Sequence, residues 1–169
     1  MDFLYLVKKR HSVRNYLTDE IEKEKLEYIF ECARHAPSAA NFQPWHFYIA
    51  SSEEAKKAVF ESYPRRWMEN APLYIVACGN IDKSWKRGYD RKDYVDVDIA
   101  IAFEHICLAA EEQGLGTCWI AHFDPAIIIE NLELPSNMVP IAITPLGYPG
   151  EEMGERTQRK NAEDIIEFL

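Results

Sequence analysis

The sequence predicts an α+β fold in which helices flank a mixed or antiparallel β-sheet, within a single domain of residues 1–169. Residues 95–113 are apolar almost all round, which is typical of a long helix buried on most sides. Residues 73–78 form a continuous apolar run of strand length, which indicates a central strand. Helix-like and strand-like segments alternate around three or four strands, so we expect helices to flank the sheet.

Two helices are predicted before the first strand. Residues 3–7 have an apolar face, and Asp2 can cap their N-terminus. Residues 26–33 repeat apolar side chains at helical spacing, and glutamates precede them where the helix dipole favours negative charge. Pro37 ends this helix because proline lacks a backbone N–H and restricts the residue before it.

The next elements lie on either side of a polar stretch. Residues 45–50 read as a strand, after which Ser51 and Glu54 suggest a capping box for a short helix. Residues 79–94 are polar with scattered aromatic side chains and predict a loop, and loops of this length are usually functional or mobile.

The elements after the long helix are marked by glycine and proline. Gly114 is a natural helix terminator, and residues 117–121 read as a strand. Asp124 followed by Pro125 predicts the start of a short helix. Residues 139–146 predict the last strand, and the polar tail behind it ends in an apolar run that needs a surface to cover it.

Charge and composition exclude several classes of protein. The net charge of −9 and the pI near 5.1 argue against a nucleic-acid-binding surface. No apolar run approaches the roughly 20 residues that span a membrane. The N-terminal charges follow the apolar residues, the reverse of a signal peptide, so we expect a cytoplasmic protein.

The four cysteines lack C-x-x-C and zinc spacing and are predicted to be buried free thiols, and no histidine spacing suggests a metal site.

Residues 36–47 combine two prolines, small residues and an amide pair before an aromatic-rich strand. The small residues allow close approach of a large flat group, and Asn41 and Gln43 can both donate and accept hydrogen bonds. The segment therefore predicts either a rigid loop that holds a heteroaromatic ligand or an ordinary helix-to-strand connection.

Residues 10–14 are basic in an otherwise acidic chain. Arg10 and Arg14 offer fork-shaped charged donors, and Ser12 adds a hydroxyl, which is a set of donors that suits a phosphate monoester. The alternative is a solvated basic patch after a helix, where positive charge also suits the helix dipole.

Other patterns in the sequence give weaker evidence for a binding or catalytic site. Gly114 and Gly116 lack the order and spacing of a nucleotide-binding loop and are better explained as a helix cap and a tight turn. His122 lies at a strand end and could be a general acid, a stacking group or an exposed loop residue. No G-x-S-x-G elbow supports serine catalysis, and the apolar neighbours of Cys118 argue against a nucleophilic thiol.

The ordered set of motifs resembles the flavin-dependent nitroreductase family and spans nearly the whole chain. The matching segments are residues 10–16, 36–38, 41–45, 98–100, 114–120, 146–149 and 159–160. The resemblance implies a three-layer α/β/α subunit and an obligate homodimer whose C-terminal tail packs on the partner. It also implies two FMN molecules bound at the subunit interface.

The resemblance assigns roles to three groups of residues and the tail. The segment from Arg10 to Arg14 would bind the FMN phosphate and ribityl chain, and Arg159 would add a cation. The partner subunit's loop around Ser38 would reach the flavin, while a backbone N–H near Ala121 or His122 would face flavin N5. The residues assigned to FMN are Arg10, His11, Ser12, Arg14, Pro37, Ser38, Ala39, Asn41, Gln43, Trp119, Ile120, Ala121, His122 and Arg159.

The implied activity is an FMN-dependent oxidoreductase that takes reducing equivalents from NAD(P)H and passes them to a small acceptor in ping-pong fashion. The acceptor would be a nitroaromatic, a quinone or an activated alkene, and FMN rather than a side chain would carry the chemistry. Candidates to wall the acceptor pocket are Trp67, Trp85, Tyr89 and Tyr94. Two alternatives stay open: another flavin enzyme on the same scaffold (dehalogenation, flavin breakdown or biosynthetic oxidation), or a non-catalytic flavin- or tetrapyrrole-binding protein.

Overall fold

The computed structural model describes residues 2–150 and 158–169, and within them one four-stranded antiparallel sheet forms the centre of the fold. The strands are β1 (Trp45–Ala50), β2 (Leu73–Asn80), β3 (Gly116–Thr117) and β4 (Met138–Gly147). Their order across the sheet is β1-β2-β4-β3, with every neighbouring pair antiparallel. The α+β prediction is confirmed.

Helices cover both faces of this sheet. They are α1 (Phe3–Lys9), α2 (Lys23–Arg34), α3 (Glu53–Ser62), α4 (Val95–Glu112) and α5 (Pro125–Asn131). One core cluster joins α2 and α4 to one face of the sheet, and a second joins α3 and α5 to the other face. The subunit therefore has the three layers that the resemblance implied.

Strand β2 is the centre of both core clusters, because all eight of its residues are buried. Ile75 faces the cluster that contains α4, whereas Val76, the next residue, faces the opposite cluster. This alternation follows from the two-residue period of a strand. The predicted central strand is confirmed and extends to Asn80.

Helix α4 is the longest helix in the described residues and begins at Val95 as predicted. Its C-terminus closes in a Schellman motif, in which Leu115 N donates to Ala110 O at 2.8 Å and Gly114 N donates to Glu111 O at 3.1 Å. Gly114 has a φ of 76°, which is why glycine suits the position. The prediction of Gly114 as the terminator is confirmed.

Two predicted boundaries were wrong. Ser52, not Ser51, is the N-cap of α3, because its side chain accepts from Ala55 N at 3.2 Å. The strand predicted over 117–121 is reduced to Gly116–Thr117 and an isolated bridge from Ile120 to β4. The ladder is interrupted because Cys118 N donates to the Thr144 side chain instead of a backbone carbonyl.

The four cysteines are free thiols, as predicted, three of them buried and Cys32 half-buried. Burial raises the pKa of Cys78 and of Cys107 to about 12, so neither is an activated nucleophile. Burial also raises the pKa of Cys118, against the opposing influence of Arg14. Among the described helices, none is both long enough and apolar enough to cross a bilayer.

Candidate functional site

The basic segment, residues 10–14, lies along the short edge strand β3. Val13 N donates to Thr117 O at 2.9 Å, and Ser12 forms a parallel bridge with Thr117. Val13 is buried, whereas Ser12 and Arg14 on either side of it are exposed. The sheet edge therefore fixes the backbone and leaves the Ser12 and Arg14 side chains exposed on its two sides.

Gly116 permits this close approach of the basic segment to β3. A Cβ atom at Gly116 would lie 2.6 Å from Cγ2 of Val13, well inside van der Waals contact. The tight-turn explanation of Gly116 was wrong, since the residue lies in a strand where a second backbone passes beside it.

Two ion pairs and one histidine–carboxylate contact connect the basic segment and the end of α1 to α4. Arg10 Nε lies 3.7 Å from Glu104 Oε1, Lys9 Nζ lies 3.1 Å from Glu111 Oε1, and His11 Nδ1 lies 3.9 Å from Glu111 Oε2. Partial burial raises the pKa of Glu104, while Arg10 opposes that shift. His11 Nδ1 is buried without a hydrogen bond in the described part of the chain.

The shelf, residues 37–43, is the loop that carries the predicted amide pair. Gln43 N donates to Ser38 Oγ at 2.9 Å, and the Gln43 side chain donates to Asn41 O at 3.3 Å. Ala40, Asn41 and Gln43 have φ values of 51°, 58° and 50°, which are left-handed conformations at non-glycine residues. Such backbone costs free energy and persists where the surroundings hold it.

Asp98 was among the matching residues of the resemblance, but the prediction gave it no role. Its Oδ1 accepts from Ala39 N at 2.9 Å, so the first turn of α4 holds the shelf. The side chain is buried, and its Oδ2 has no hydrogen-bond partner among the described residues. A signal existed in the sequence, because Asp98 interrupts an otherwise apolar helix face.

The third predicted group, residues 119–122, follows β3 directly. The Trp119 ring stands edge-on to Phe103 with centroids 4.7 Å apart, and Ile120 pairs with Ile143 through two backbone hydrogen bonds. Ala121 and His122 are exposed. This group and the basic segment share one sheet edge, so the fold places them side by side.

An aromatic row leads away from His122. Tyr63 stands edge-on to His122 with centroids 6.5 Å apart, and Trp67 contacts Tyr63 at 6.2 Å and buried Tyr16 at 6.5 Å. Of the four predicted wall residues, Trp67 belongs to this row. Trp85 and Tyr94 pack on each other in a different segment, at 5.1 Å.

The shelf and the basic segment lie at different positions along α4. Asp98, which holds the shelf, precedes Glu104 by six residues, about 9 Å of helix axis, and Glu111 by thirteen, roughly 20 Å. Within the described residues no hydrogen bond or ion pair joins the two groups. In a single subunit the predicted phosphate ligands and the shelf therefore make no direct polar contact with each other.

The two ends of the described chain expose apolar side chains. Phe3, Leu4 and Tyr5 of α1 are each more than half exposed. The tail exposes Ile165, Ile166, Phe168 and Leu169. Arg159, the predicted additional cation, is exposed and donates to Gln158 O at 3.3 Å.

Comparison with known proteins gives consistent matches. The sequence model described as the Nitroreductase family matches residues 7–65 and 59–148. A protein of Methanothermobacter thermautotrophicus, provisionally named NADH dehydrogenase/NAD(P)H nitroreductase, is 32% identical over 161 residues, covering 92% of this chain and 82% of the relative.

Solved structures agree with the sequence matches. The crystal structure of a nitroreductase family protein from Clostridium difficile 630 superposes with a TM-score of 0.90 at 36% identity, over 99% of this chain and 98% of that one. A structure described as an FMN-dependent nitroreductase from Clostridium difficile R20291 gives 0.81 at 30% identity, over 98% of each chain. With the family model covering most of its length and relatives above 30% identity over almost all of it, the chain belongs to the nitroreductase family.

Proposed function

We propose that this protein is an FMN-dependent oxidoreductase that takes reducing equivalents from NADH or NADPH and passes them to a small acceptor. The acceptor is a nitroaromatic, a quinone or an activated alkene. One observation carries the proposal: the sheet edge holds the basic segment with Ser12 and Arg14 exposed, directly beside residues 119–122. The provisional name of the archaeal relative and the FMN-dependent neighbour support the same activity.

The basic segment fits the phosphate end of FMN. Arg10 and Arg14 supply charged forked donors, and Ser12 supplies a neutral donor between them. The His11 ring lies between these residues, with its buried Nδ1 3.9 Å from Glu111 Oε2 and without a hydrogen bond in the described chain. Arg159 would add a cation from the tail.

Residues 119–122 fit one face of the flavin. Trp119 supplies exposed apolar surface, while Ile120 is buried and contributes only backbone. The backbone N–H groups of Ala121 and His122 donate no hydrogen bond within the described residues. One of these N–H groups would address flavin N5. When bound, FMN would supply the redox chemistry between the nicotinamide and the acceptor, so no side chain need act as a general acid or base.

The aromatic row suits a flat acceptor. His122, Tyr63 and Trp67 present ring surfaces next to the proposed flavin face, and rings prefer stacked or edge-on partners. This arrangement supports an aromatic acceptor over an aliphatic one. Tyr89 is fully exposed in the segment between β2 and α4, away from this row in sequence.

We further propose that the active form is a homodimer in which each shelf serves the partner's site. The separation of shelf and basic segment along α4 supports this arrangement. The exposed apolar side chains of α1 and of the tail supply surfaces for a second copy to cover. Pro37, Ser38, Ala39, Asn41 and Gln43 would then contact FMN bound by the partner's Arg10, Ser12 and Arg14. The cytoplasmic location and the single domain over 1–169 stay predictions from the sequence.

The test is purification followed by a reduction cycle. We expect a yellow protein whose flavin absorbance bleaches with NADH or NADPH and recovers with a nitroaromatic or a quinone. A colourless protein that does not take up added FMN would contradict the proposal. A yellow protein that neither nicotinamide reduces would favour a non-catalytic flavin-binding protein instead.

A further inference from the structure

Asp98 combines two features that rarely occur together. It is a carboxylate with only 2% of its surface exposed, and one of its two oxygens lacks a hydrogen bond among the described residues. Buried carboxylates are almost always paired, because an unsatisfied buried charge is costly. A carboxylate accepts hydrogen bonds at both of its oxygens.

The oxygen that has a partner, Oδ1, holds the shelf in place. Asp98 Oδ1 accepts from the backbone N–H of Ala39, the residue before the left-handed positions Ala40 and Asn41. The other hydrogen bonds around Ser38 and Gln43 lie within the shelf, whereas this one reaches it from α4. Asp98 therefore fixes the position of the shelf relative to the long helix.

The unsatisfied oxygen, Oδ2, indicates that a hydrogen-bond donor from outside the described residues completes this site. Oδ2 is buried beside the shelf, the surface that the proposed dimer presents to the partner's flavin. An N–H or O–H donor brought by FMN or by the second subunit would satisfy it. A buried water would also satisfy it, but a water can turn to present either a proton or its oxygen.

We propose that Asp98 is a positioning residue of the cofactor site, with Oδ1 clamping the shelf and Oδ2 accepting a hydrogen bond from a donor that arrives when the site assembles. The inference rests on the proposed FMN function for its ligand, although not for the clamp. Asp98 touches the shelf backbone and no reacting atom, so its influence is on affinity and assembly rather than on a chemical step.

The test compares Asp98→Asn, Asp98→Ala and Asp96→Asn in the full chain. The asparagine side chain keeps a carbonyl oxygen for Ala39 N but turns an N–H toward the donor, whereas alanine loses both contacts. Asp96 lies two residues away in the same helical turn and is exposed, so its variant is the matched control for charge. FMN affinity is measured by flavin fluorescence, apo-protein stability by thermal unfolding, and assembly by the dimer dissociation constant.

We expect Asp98→Ala to lower both the unfolding temperature and FMN affinity. Asp98→Asn should keep the unfolding temperature of the wild type yet weaken FMN binding or dimer assembly by about tenfold or more, the cost of setting two donors against each other. Asp96→Asn should change FMN affinity and the dimer dissociation constant by less than about twofold and should leave the unfolding temperature near that of the wild type. If Asp98 only stabilised the fold, a substitution that left the unfolding temperature unchanged would also leave FMN affinity unchanged.

The two sources of the donor give different results. If FMN supplies it, Asp98→Asn weakens FMN binding and leaves the apo dimer unchanged; if the partner supplies it, the apo dimer itself dissociates more readily. Asp98→Asn that matches the wild type in both measurements, the result for a reorienting water, overturns the proposal. Wild-type protein that takes up no FMN would refute the proposed function, and the dimer measurement would then decide the role of Asp98 alone.

Discussion

The basic segment and the shelf are both loops that carry predicted FMN ligands, but the fold holds them differently. The basic segment and the residues just after it are bridged to β3 and Pro149, and the buried Val13 and Tyr16 belong to the core. The shelf protrudes with left-handed backbone at three non-glycine residues and is held to α4 through Asp98.

This difference has a functional consequence. A segment paired with a sheet edge is preformed, so it can bind a phosphate without reorganising. A strained, exposed loop gains most when another molecule covers it. We infer that the basic segment is the fixed half of the site and that the shelf is the half completed by assembly. The following predictions test each half, from the largest expected effect to the smallest.

Gly116→Ala should displace the basic segment from its sheet edge. The new Cβ would meet Val13 Cγ2 at 2.6 Å, and overpacking of this kind costs about 1–3 kcal/mol of unfolding free energy. FMN retention should fall with it. Urea unfolding and FMN titration measure the two effects.

Two further variants check the cause. Gly88→Ala is the matched control, since a Cβ there meets nothing within 4 Å. Adding Val13→Ala to Gly116→Ala removes the two methyl groups but leaves the Cβ of residue 13 at 2.8 Å, so it should recover only a small part of the lost FMN affinity. Equal effects of Gly116→Ala and Gly88→Ala would show that contact with β3 does not fix the segment.

Arg14→Ala should weaken FMN binding by roughly 10- to 100-fold, since a hydrogen bond to a charged group contributes about 1.5–3 kcal/mol. The unfolding temperature should change little, because Arg14 is exposed. Lys57→Ala on α3 removes the same charge from an exposed site elsewhere and should leave FMN affinity unchanged. If both variants bind FMN equally well, Arg14 is not a phosphate ligand.

Ala40→Gly should stabilise the protein by about 0.5–1 kcal/mol. Glycine adopts the φ of 51° without the strain of a Cβ atom, which outweighs the greater flexibility of the unfolded chain. Ala39→Gly is the control, since Ala39 does not have a positive φ and should become less stable on substitution. If urea unfolding showed that both variants are less stable than the wild type, the positive φ of Ala40 would not cost the protein stability.

Glu104→Gln should strengthen FMN binding by about twofold at pH 7, because it removes a negative charge 3.7 Å from Arg10. Partial burial raises the pKa of Glu104, so its carboxylate opposes binding above that pKa and becomes neutral below it. Wild type and variant should therefore converge as the pH falls through the range in which Glu104 protonates. FMN titrations across pH would contradict this if the difference grew in acid.

The regular parts of this fold could be predicted from the sequence because local patterns determine them. The apolar run of β2, the helix from Val95 and the Asp124–Pro125 helix start are each encoded by adjacent residues. The interrupted strand after Thr117 was not predictable, since a side chain from β4, Thr144, takes the hydrogen bond of Cys118. Local patterns contain no information about which distant side chain will compete for a backbone donor.

The candidate site shows the same division. The resemblance identified the basic segment and the shelf through their residue types, but not the contacts that hold them. Asp98 lies 59 residues from Ala39 in the chain, and Gly116 is further still from Val13, so only the folded chain reveals these contacts. Tyr63 likewise lies at the candidate site because its ring contacts His122, and no local motif predicts that contact.

The central claim is that FMN lies between the basic segment of one subunit and the shelf of the other. A heterodimer of Arg14→Ala and Ala39→Trp subunits, purified through two different tags, tests it by FMN stoichiometry. If the shelf serves the partner, both substitutions fall in one site and the other site is entirely wild type, so the account predicts one tightly bound FMN per heterodimer. If each shelf serves its own subunit, both sites are damaged, and a heterodimer without a tight FMN site would contradict the account.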